Sequence, residues 1–140
     1  LPALVAPPRS YRPEFSGEEA AVEKALRARL TAFDRHDIDA VVALSHNPKP
    51  SLRDDATSFS NTFQVRLYRV TAIEVKGHRA TVEYENAIVG RHLRSKVTTL
   101  LGQRDVWTKE DGHWKWVSDT SFAPGIPQDL KTVTLTLPLS

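Results

Sequence analysis

Two strands joined by a tight turn in the last third of the chain constrain its fold more than any other feature. Residues 105–122 carry alternating large side chains on both sides of the pair Asp111-Gly112. An Asp-Gly pair supplies the positive φ angles that a two-residue hairpin turn requires. The tryptophans of the two arms are Trp107, Trp114 and Trp116. The sequence therefore predicts a long antiparallel hairpin with one aromatic face.

The first half of the chain has a helical pattern. Ser16 followed by Glu19 forms a capping-box pattern, which predicts a helix that starts after Ser16. Its apolar face consists of Val22, Leu26, Leu30 and Phe33, and its basic residues are expected to lie off that face: Lys24, Arg27 and Arg29. Asp37 is the predicted N-cap of a second, short helix. Residues 51–61 are polar and irregular, and predict at most a short helical turn.

The second half has a β pattern. Residues 63–75 and 80–88 alternate around a turn at Gly77, which predicts another hairpin. Residues 131–137 alternate strictly and predict an additional edge strand. We expect an extended, proline-rich arm over residues 1–15, one domain over residues 16–122, and a C-terminal extension over residues 123–140.

Composition excludes several classes of protein. The chain has 140 residues, 40% of them hydrophobic and 26% charged, which suits one globular domain. The net charge of +2 is spread along the chain without a basic run, so we expect no nucleic-acid partner. Cysteine is absent, which removes disulfides, thiolate nucleophiles and Cys-based zinc sites. No apolar run approaches the ~20 residues of a membrane span.

The histidines do not form a metal-binding pattern. No two of the five are spaced i, i+4, and the chain contains neither HExxH nor a glycine-rich phosphate loop. We therefore expect no metal and no cofactor, with the histidines at the surface and His46 placed to line the mouth of a pocket. The segment 1–8, which contains Pro2, Pro7 and Pro8, resembles the start of a mature chain from which a signal peptide has been removed, so export is slightly favoured over the cytoplasm.

Strand parity predicts which side chains face the helices, because alternate residues of a strand share a face. A two- or four-residue turn around Asp111-Gly112 pairs odd positions before it with even positions after it. The same rule around Gly77 gives the inward set Leu67, Arg69, Thr71, Ile73, Val75, Ala80, Val82, Tyr84, Asn86 and Ile88. The predicted ligand-binding residues are Arg69, Tyr84, Asn86, Gln103, Trp107, Trp116 and Ser118. A β-bulge would invert the parity beyond it.

Asp105 has two interpretations. Inside an apolar pocket its pKa would rise toward the range of a general base, with Tyr84 as a hydrogen-bond donor beside it. Alternatively, Asp105 is a structural group that pairs with Arg69 or accepts a hydrogen bond from the indole of Trp116. The sequence leaves both open.

The order of these motifs resembles the NTF2-like superfamily, in its small bacterial branch of SnoaL-like and ketosteroid-isomerase-like proteins. The residues that carry the resemblance are Asp37-Ile-Asp-Ala40, Gly77-His-Arg-Ala-Thr-Val82 and the tryptophan-rich hairpin. The resemblance implies an α+β, cystatin-like cone, in which N-terminal helices pack on a curved antiparallel sheet, often as a homodimer through the sheet. Members include isomerases, cyclases, dehydratases and non-catalytic modules.

The sequence supports three functional hypotheses. The first is a module that binds a small apolar molecule or a protein partner through the aromatic-lined pocket or a sheet face. The second is a SnoaL-like enzyme of proton transfer or hydration, with Asp105 as base and with Tyr84 and Asn86 as donors. The third is a scaffold that uses the strand at residues 131–137.

Overall fold

The computed structural model describes residues 15–91, 98–117 and 131–133. Three helices precede the sheet along the chain. They are α1 (Gly17–Asp34), α2 (Ile38–Ala43) and α3 (Leu52–Thr62). The strands are β1 (Phe63–Lys76), β2 (Arg79–Gly90), β3 (Thr98–Glu110), β4 (His113–Val117) and β5 (Lys131–Val133). The order β1-β2-β3-β4 is antiparallel throughout, and β5 pairs with β3. The α+β prediction is confirmed.

The apolar face of α1 is buried as predicted. All four predicted apolar positions belong to the core, where they meet the inward residues of the sheet. Ser16 is the N-cap, but its side chain makes no capping hydrogen bond. Gly17, the next residue, has a φ of 59°, which lies outside the helical range and sets Ser16 away from the first turn. Asp37 does cap α2, since its carboxylate accepts from the Ala40 N–H at 3.2 Å.

Helix α3 is longer than the sequence predicted. The polar stretch after Ser51 forms eleven helical residues rather than a short turn. Ala56 and Ser60, four residues apart, are its buried positions. The Ser60 hydroxyl donates to the Phe33 carbonyl oxygen and lies 2.7 Å from the Nδ1 of His36. These contacts with the end of α1 exist only in the folded chain, and the apolar pattern of the segment is too sparse to reveal the helix.

The β3–β4 hairpin has the predicted turn and register. Asp111 and Gly112 have φ angles of 50° and 80°, as a turn with two positive φ residues requires. Trp107 pairs with Trp116 across the strands. Trp107, Trp114 and Trp116 are all buried, so the inward parity predicted for this hairpin is confirmed over the described residues.

The β1–β2 hairpin departs from strict alternation at two points. The register shifts between Leu67 and Arg69, and again between Val70 and Ala72. Each shift inserts one extra residue into β1, so parity inverts between them and is restored afterwards. Val70 therefore lies opposite Tyr84, and Arg69 lies opposite Glu85 on the other face. The inward placement predicted for Arg69 was wrong, and so was that of Thr71, which is exposed.

The C-terminal part is described only in pieces. The backbone of residues 131–133 pairs with residues 98–100 of β3, so the predicted strand is present over three residues. Residues 1–14, which include most of the predicted arm, lie outside the described residues, as does Ser118. Among the residues described, no helix is long and apolar enough to cross a membrane.

Candidate functional site

A cavity of about 390 Å³ lies between the helices and the inner face of the sheet. Its apolar walls come from α1, α3, β1, β2 and β4. The main apolar lining residues are Leu30, Phe33, Phe59, Val65, Ile88 and Trp116. Exposed residues of the α2–α3 connection, such as Pro48 and Lys49, line its rim, so the cavity reaches solvent there. Cavities of about 300–1,000 Å³ with mostly apolar walls are typical small-molecule sites.

Asp105 is the most buried polar group on the cavity wall. It is 1% exposed, and its position on β3, opposite Val82 of β2, turns it toward the helices. The Tyr84 hydroxyl lies 2.7 Å from Asp105 Oδ2. Arg69 is paired with Glu85 on the far face, so Tyr84, rather than Arg69, satisfies Asp105.

Two side-chain amides extend this contact into a network. The Tyr84 hydroxyl also lies 2.9 Å from Gln103 Oε1, and Asn86 Nδ2 donates to the same oxygen at 3.1 Å. A phenol carries one proton, so Tyr84 donates to either Asp105 or Gln103 at any moment. If Asp105 is protonated, it donates to Tyr84, which is then free to donate to Gln103. Each of the three contacts then has its own donor, and Asn86 Oδ1 is the atom of this network that has no hydrogen-bond partner among the described residues.

The electrostatics of Asp105 agree with this hydrogen-bond count. Burial raises the pKa of the Asp105 carboxyl, and the positive charge of Arg29 and the hydrogen bond from Tyr84 oppose that rise. Burial also raises the pKa of the Tyr84 hydroxyl well above its usual value, so Tyr84 stays protonated. A carboxyl with a raised pKa, next to a hydroxyl and a cavity, is suited to exchange protons with a bound molecule.

Arg29 is the residue of this site that the sequence interpretation missed. It was expected to lie off the apolar face of α1, yet it is 8% exposed and lines the cavity. Its Cζ lies 3.7 Å from the ring centroid of Trp116 and 4.9 Å from that of Phe33. Arg29 follows Leu26 by three residues and precedes Phe33 by four, which is the spacing of one helical face. That spacing was the available signal that Arg29 lies on the buried face. It was overlooked because a charged residue is usually exposed.

The rim of the cavity carries further polar groups. His46 lines the cavity, as the sequence suggested, and its Nδ1 contacts the Glu110 carboxylate. Lys49 and Asp55 are both exposed and carry opposite charges. Within residues 15–91, 98–117 and 131–133, no cluster of three or more His, Asp or Glu side chains could hold a metal ion.

The predicted ligand-binding residues are not all at the cavity. Four line it: Asn86, Gln103, Asp105 and Trp116. Tyr84 is 2% exposed and reaches the cavity through Asp105 and Gln103. Trp107 is fully buried in the core, where it packs between strand partners Ala80 and Trp116 instead of lining the cavity. Arg69 faces away, and Ser118 lies outside the described residues.

The sequence matches no family model and no curated protein. Solved structures do match in three dimensions. An NTF2-like protein from Cytophaga hutchinsonii is 17% identical, with a TM-score of 0.58 over 72% of this chain and 93% of that one. A protein of unknown function with a cystatin-like fold from Nostoc punctiforme is 14% identical, with a TM-score of 0.61 over 79% of this chain and 98% of that one. The chain has the NTF2-like fold.

A ketosteroid isomerase-like protein from Erwinia carotovora shares this NTF2-like fold. It is 21% identical, with a TM-score of 0.55 over 73% of this chain and 92% of that one. At these identities the likeness establishes the fold and no activity, because one fold hosts many unrelated functions. The resemblance to the NTF2-like superfamily is thus confirmed for the architecture, and function has to be argued from the cavity.

Proposed function

We propose that this protein binds a small, largely apolar molecule in the cavity between its helices and its sheet. The observation that carries the proposal is the cavity itself, with its volume of about 390 Å³, its apolar walls and its few polar groups. The polar groups lie on adjacent strands, at Asn86, Gln103 and Asp105. A ligand would bury its apolar body against Phe59 and Trp116 and be oriented by that polar side.

The experiment is a titration with a neutral probe, 2-acetylnaphthalene, followed by tryptophan fluorescence. Ile88→Phe places a larger side chain in the cavity and should weaken binding about tenfold or more, because the added ring occupies the ligand's space. Val75→Phe is the matched control, since Val75 is also half-buried on the inward face but does not line the cavity. Equal affinities for wild type and Ile88→Phe would count against the proposal.

A second candidate function, proton transfer, is favoured by the contact of 2.7 Å between Tyr84 and Asp105. Asp105 would remove a proton from carbon next to a carbonyl and return it, and Asn86 would donate to the carbonyl oxygen as negative charge develops there. The ketosteroid isomerase-like neighbour is compatible with this chemistry only by analogy of fold.

Deuterium exchange separates the two functions. The methyl protons of 2-acetylnaphthalene in D₂O can be followed by proton NMR with and without protein. An enzyme should accelerate their exchange, and Asp105→Asn should remove the acceleration while the probe still binds. Binding without accelerated exchange for this ketone and for a wider set of ketones would leave the binding module as the function.

The homodimer through the sheet and the export of the protein stay predictions from the sequence. Removal of residues 124–140 followed by sedimentation analysis would test whether the C-terminal extension sets the oligomeric state. In the binding proposal, this deletion leaves the affinity for 2-acetylnaphthalene unchanged.

A further inference from the structure

Arg29 is a buried cation whose charge the fold does not neutralise directly. Its side chain projects from the centre of α1 into the core side of the sheet, and the residue is 8% exposed. Among the described residues, its Nε has no hydrogen-bond partner, and Asp105 is the carboxyl group that acts electrostatically on it. Burying a charge without a partner is costly, so proteins rarely keep such a group without a use for it.

The surroundings of Arg29 fix its orientation without occupying its donors. The Cζ of Arg29 lies over the rings of Trp116 and Phe33, at 3.7 Å and 4.9 Å from their centroids. Cation–π contacts of this kind offset part of the cost of burying the charge. A guanidinium carries five N–H donors, and Arg29 lines the cavity, so a ligand there can accept hydrogen bonds from it.

The protonation state of Asp105 determines whether the charge of Arg29 is offset within the cavity. Burial raises the pKa of Asp105, the positive charge of Arg29 opposes that rise, and a protonated Asp105 leaves the Tyr84 hydroxyl free to donate to Gln103. At the rim, Lys49 and Asp55 have opposite charges and are exposed. When Asp105 holds its proton, Arg29 is therefore the one charged group among the described residues in the enclosed part of the cavity.

We propose that the molecule bound in this cavity carries a carboxylate, and that Arg29 binds it through its free N–H groups. This inference rests on the proposed binding function and names the chemical class of the ligand. A guanidinium matches a carboxylate with two parallel hydrogen bonds. One buried cation among mostly apolar walls suits one negative charge, whereas a phosphate dianion would need further donors. The ligand is thus a small apolar carboxylic acid in its ionised form.

The test compares acids with neutral molecules of the same shape. The probes are two pairs, 2-naphthoate with 2-naphthamide and cyclohexanecarboxylate with cyclohexanecarboxamide, titrated by calorimetry. Wild type should bind at least one carboxylate about tenfold or more tightly than its amide. Arg29→Met should reduce carboxylate affinity about 30-fold or more and leave amide affinity nearly unchanged. Arg27→Met is the control, because Arg27 is on the same helix but exposed and paired with Glu23.

Two outcomes would overturn the inference in distinguishable ways. If amides bind wild type as tightly as carboxylates, or if Arg29→Met keeps the preference for the acid, the cavity binds ligands but Arg29 does not select anions. If neither acids nor neutral probes bind wild type, the proposed binding function fails as well.

Folding of the variants has its own control. Methionine has a similar length and removes a desolvated charge, so Arg29→Met should melt within a few degrees of wild type in the absence of ligand. Arg29→Lys keeps the charge and loses the planar fork, so it should keep the preference for carboxylates with affinity lowered about tenfold. If Arg29→Met does not fold, Arg29→Lys decides: unchanged carboxylate affinity would contradict the proposal.

Discussion

The two faces of the sheet are each next to an arginine and a carboxyl group, and the two arrangements differ in how the charges are satisfied. On the outer face, Arg69 is joined directly to Glu85, with side chains 28% and 6% exposed. On the inner face, Arg29 and Asp105 are both buried, and each has a different neighbour: aromatic rings for Arg29 and Tyr84 for Asp105. The outer pair is complete within the protein. On the inner face, Arg29 has an N–H donor without a partner beside the cavity. This arrangement is expected of a ligand-binding site.

The same substitution on each face should give the largest difference. Arg69→Met leaves Glu85 buried without its partner and should cost about 3 kcal/mol, the lower end of the range for broken buried pairs because Arg69 is partly exposed. Arg29→Met removes an unpaired charge and should change the free energy of unfolding by about 1 kcal/mol or less. Urea unfolding of both variants measures this. Equal losses in the free energy of unfolding would mean that Arg29 contributes as much to the stability of the fold as Arg69 does.

Asp105, on the inner face, should make the free energy of unfolding depend on pH. Burial raises the folded-state pKa of Asp105 above its ordinary value of 3.8, so the folded protein holds this proton more tightly than the unfolded chain. The associated stability is complete below 3.8 and is lost as pH rises from there through the raised folded value. Asparagine does not titrate, so the stability of Asp105→Asn should not show this loss as pH rises.

The free energy of unfolding of wild type, measured relative to Asp105→Asn, should therefore fall across that pH window and level off above it. At acidic pH the two proteins should differ by about 1 kcal/mol or less, since asparagine still accepts a hydrogen bond from Tyr84. Thermal melts at several pH values provide the measurement. A difference that does not vary with pH would show that Asp105 is not desolvated in the way the cavity suggests.

An exposed pair supplies the smallest effect and a baseline for both faces. Arg53 contacts Asp39 at 2.7 Å, but their side chains are 56% and 86% exposed. Arg53→Gln should change the free energy of unfolding by about 0.5 kcal/mol or less, because solvent screens such pairs. Its binding of 2-naphthoate should equal that of wild type. A larger loss would mean that solvent exposure does not predict how much each of the three arginines contributes to stability.

Part of the candidate site could be predicted from residues close together in sequence. The Asp-Gly turn set the parity of β3 and β4, so Gln103, Asp105 and Trp116 were placed on the inward face correctly. Parity from the Gly77 turn did the same for Asn86. It failed for Arg69, because one bulge, between Val70 and Ala72, lies between that residue and the turn and inverts the parity there. Bulges depend on pairing with the neighbouring strand, and the pattern of β1 gave no sign of them.

Local sequence was enough to predict the order of elements, both hairpin turns and the N-cap at Asp37, since these depend on backbone preferences and on the period of apolar residues. The folded chain was needed to show that Arg29 is buried, that α3 is a full helix and that a cavity remains between the layers. Those features arise when distant segments remove water from one another. Whether a charged side chain ends in solvent or in the core depends on what packs around it, and for Arg29 that is Trp116, 87 residues further along the chain.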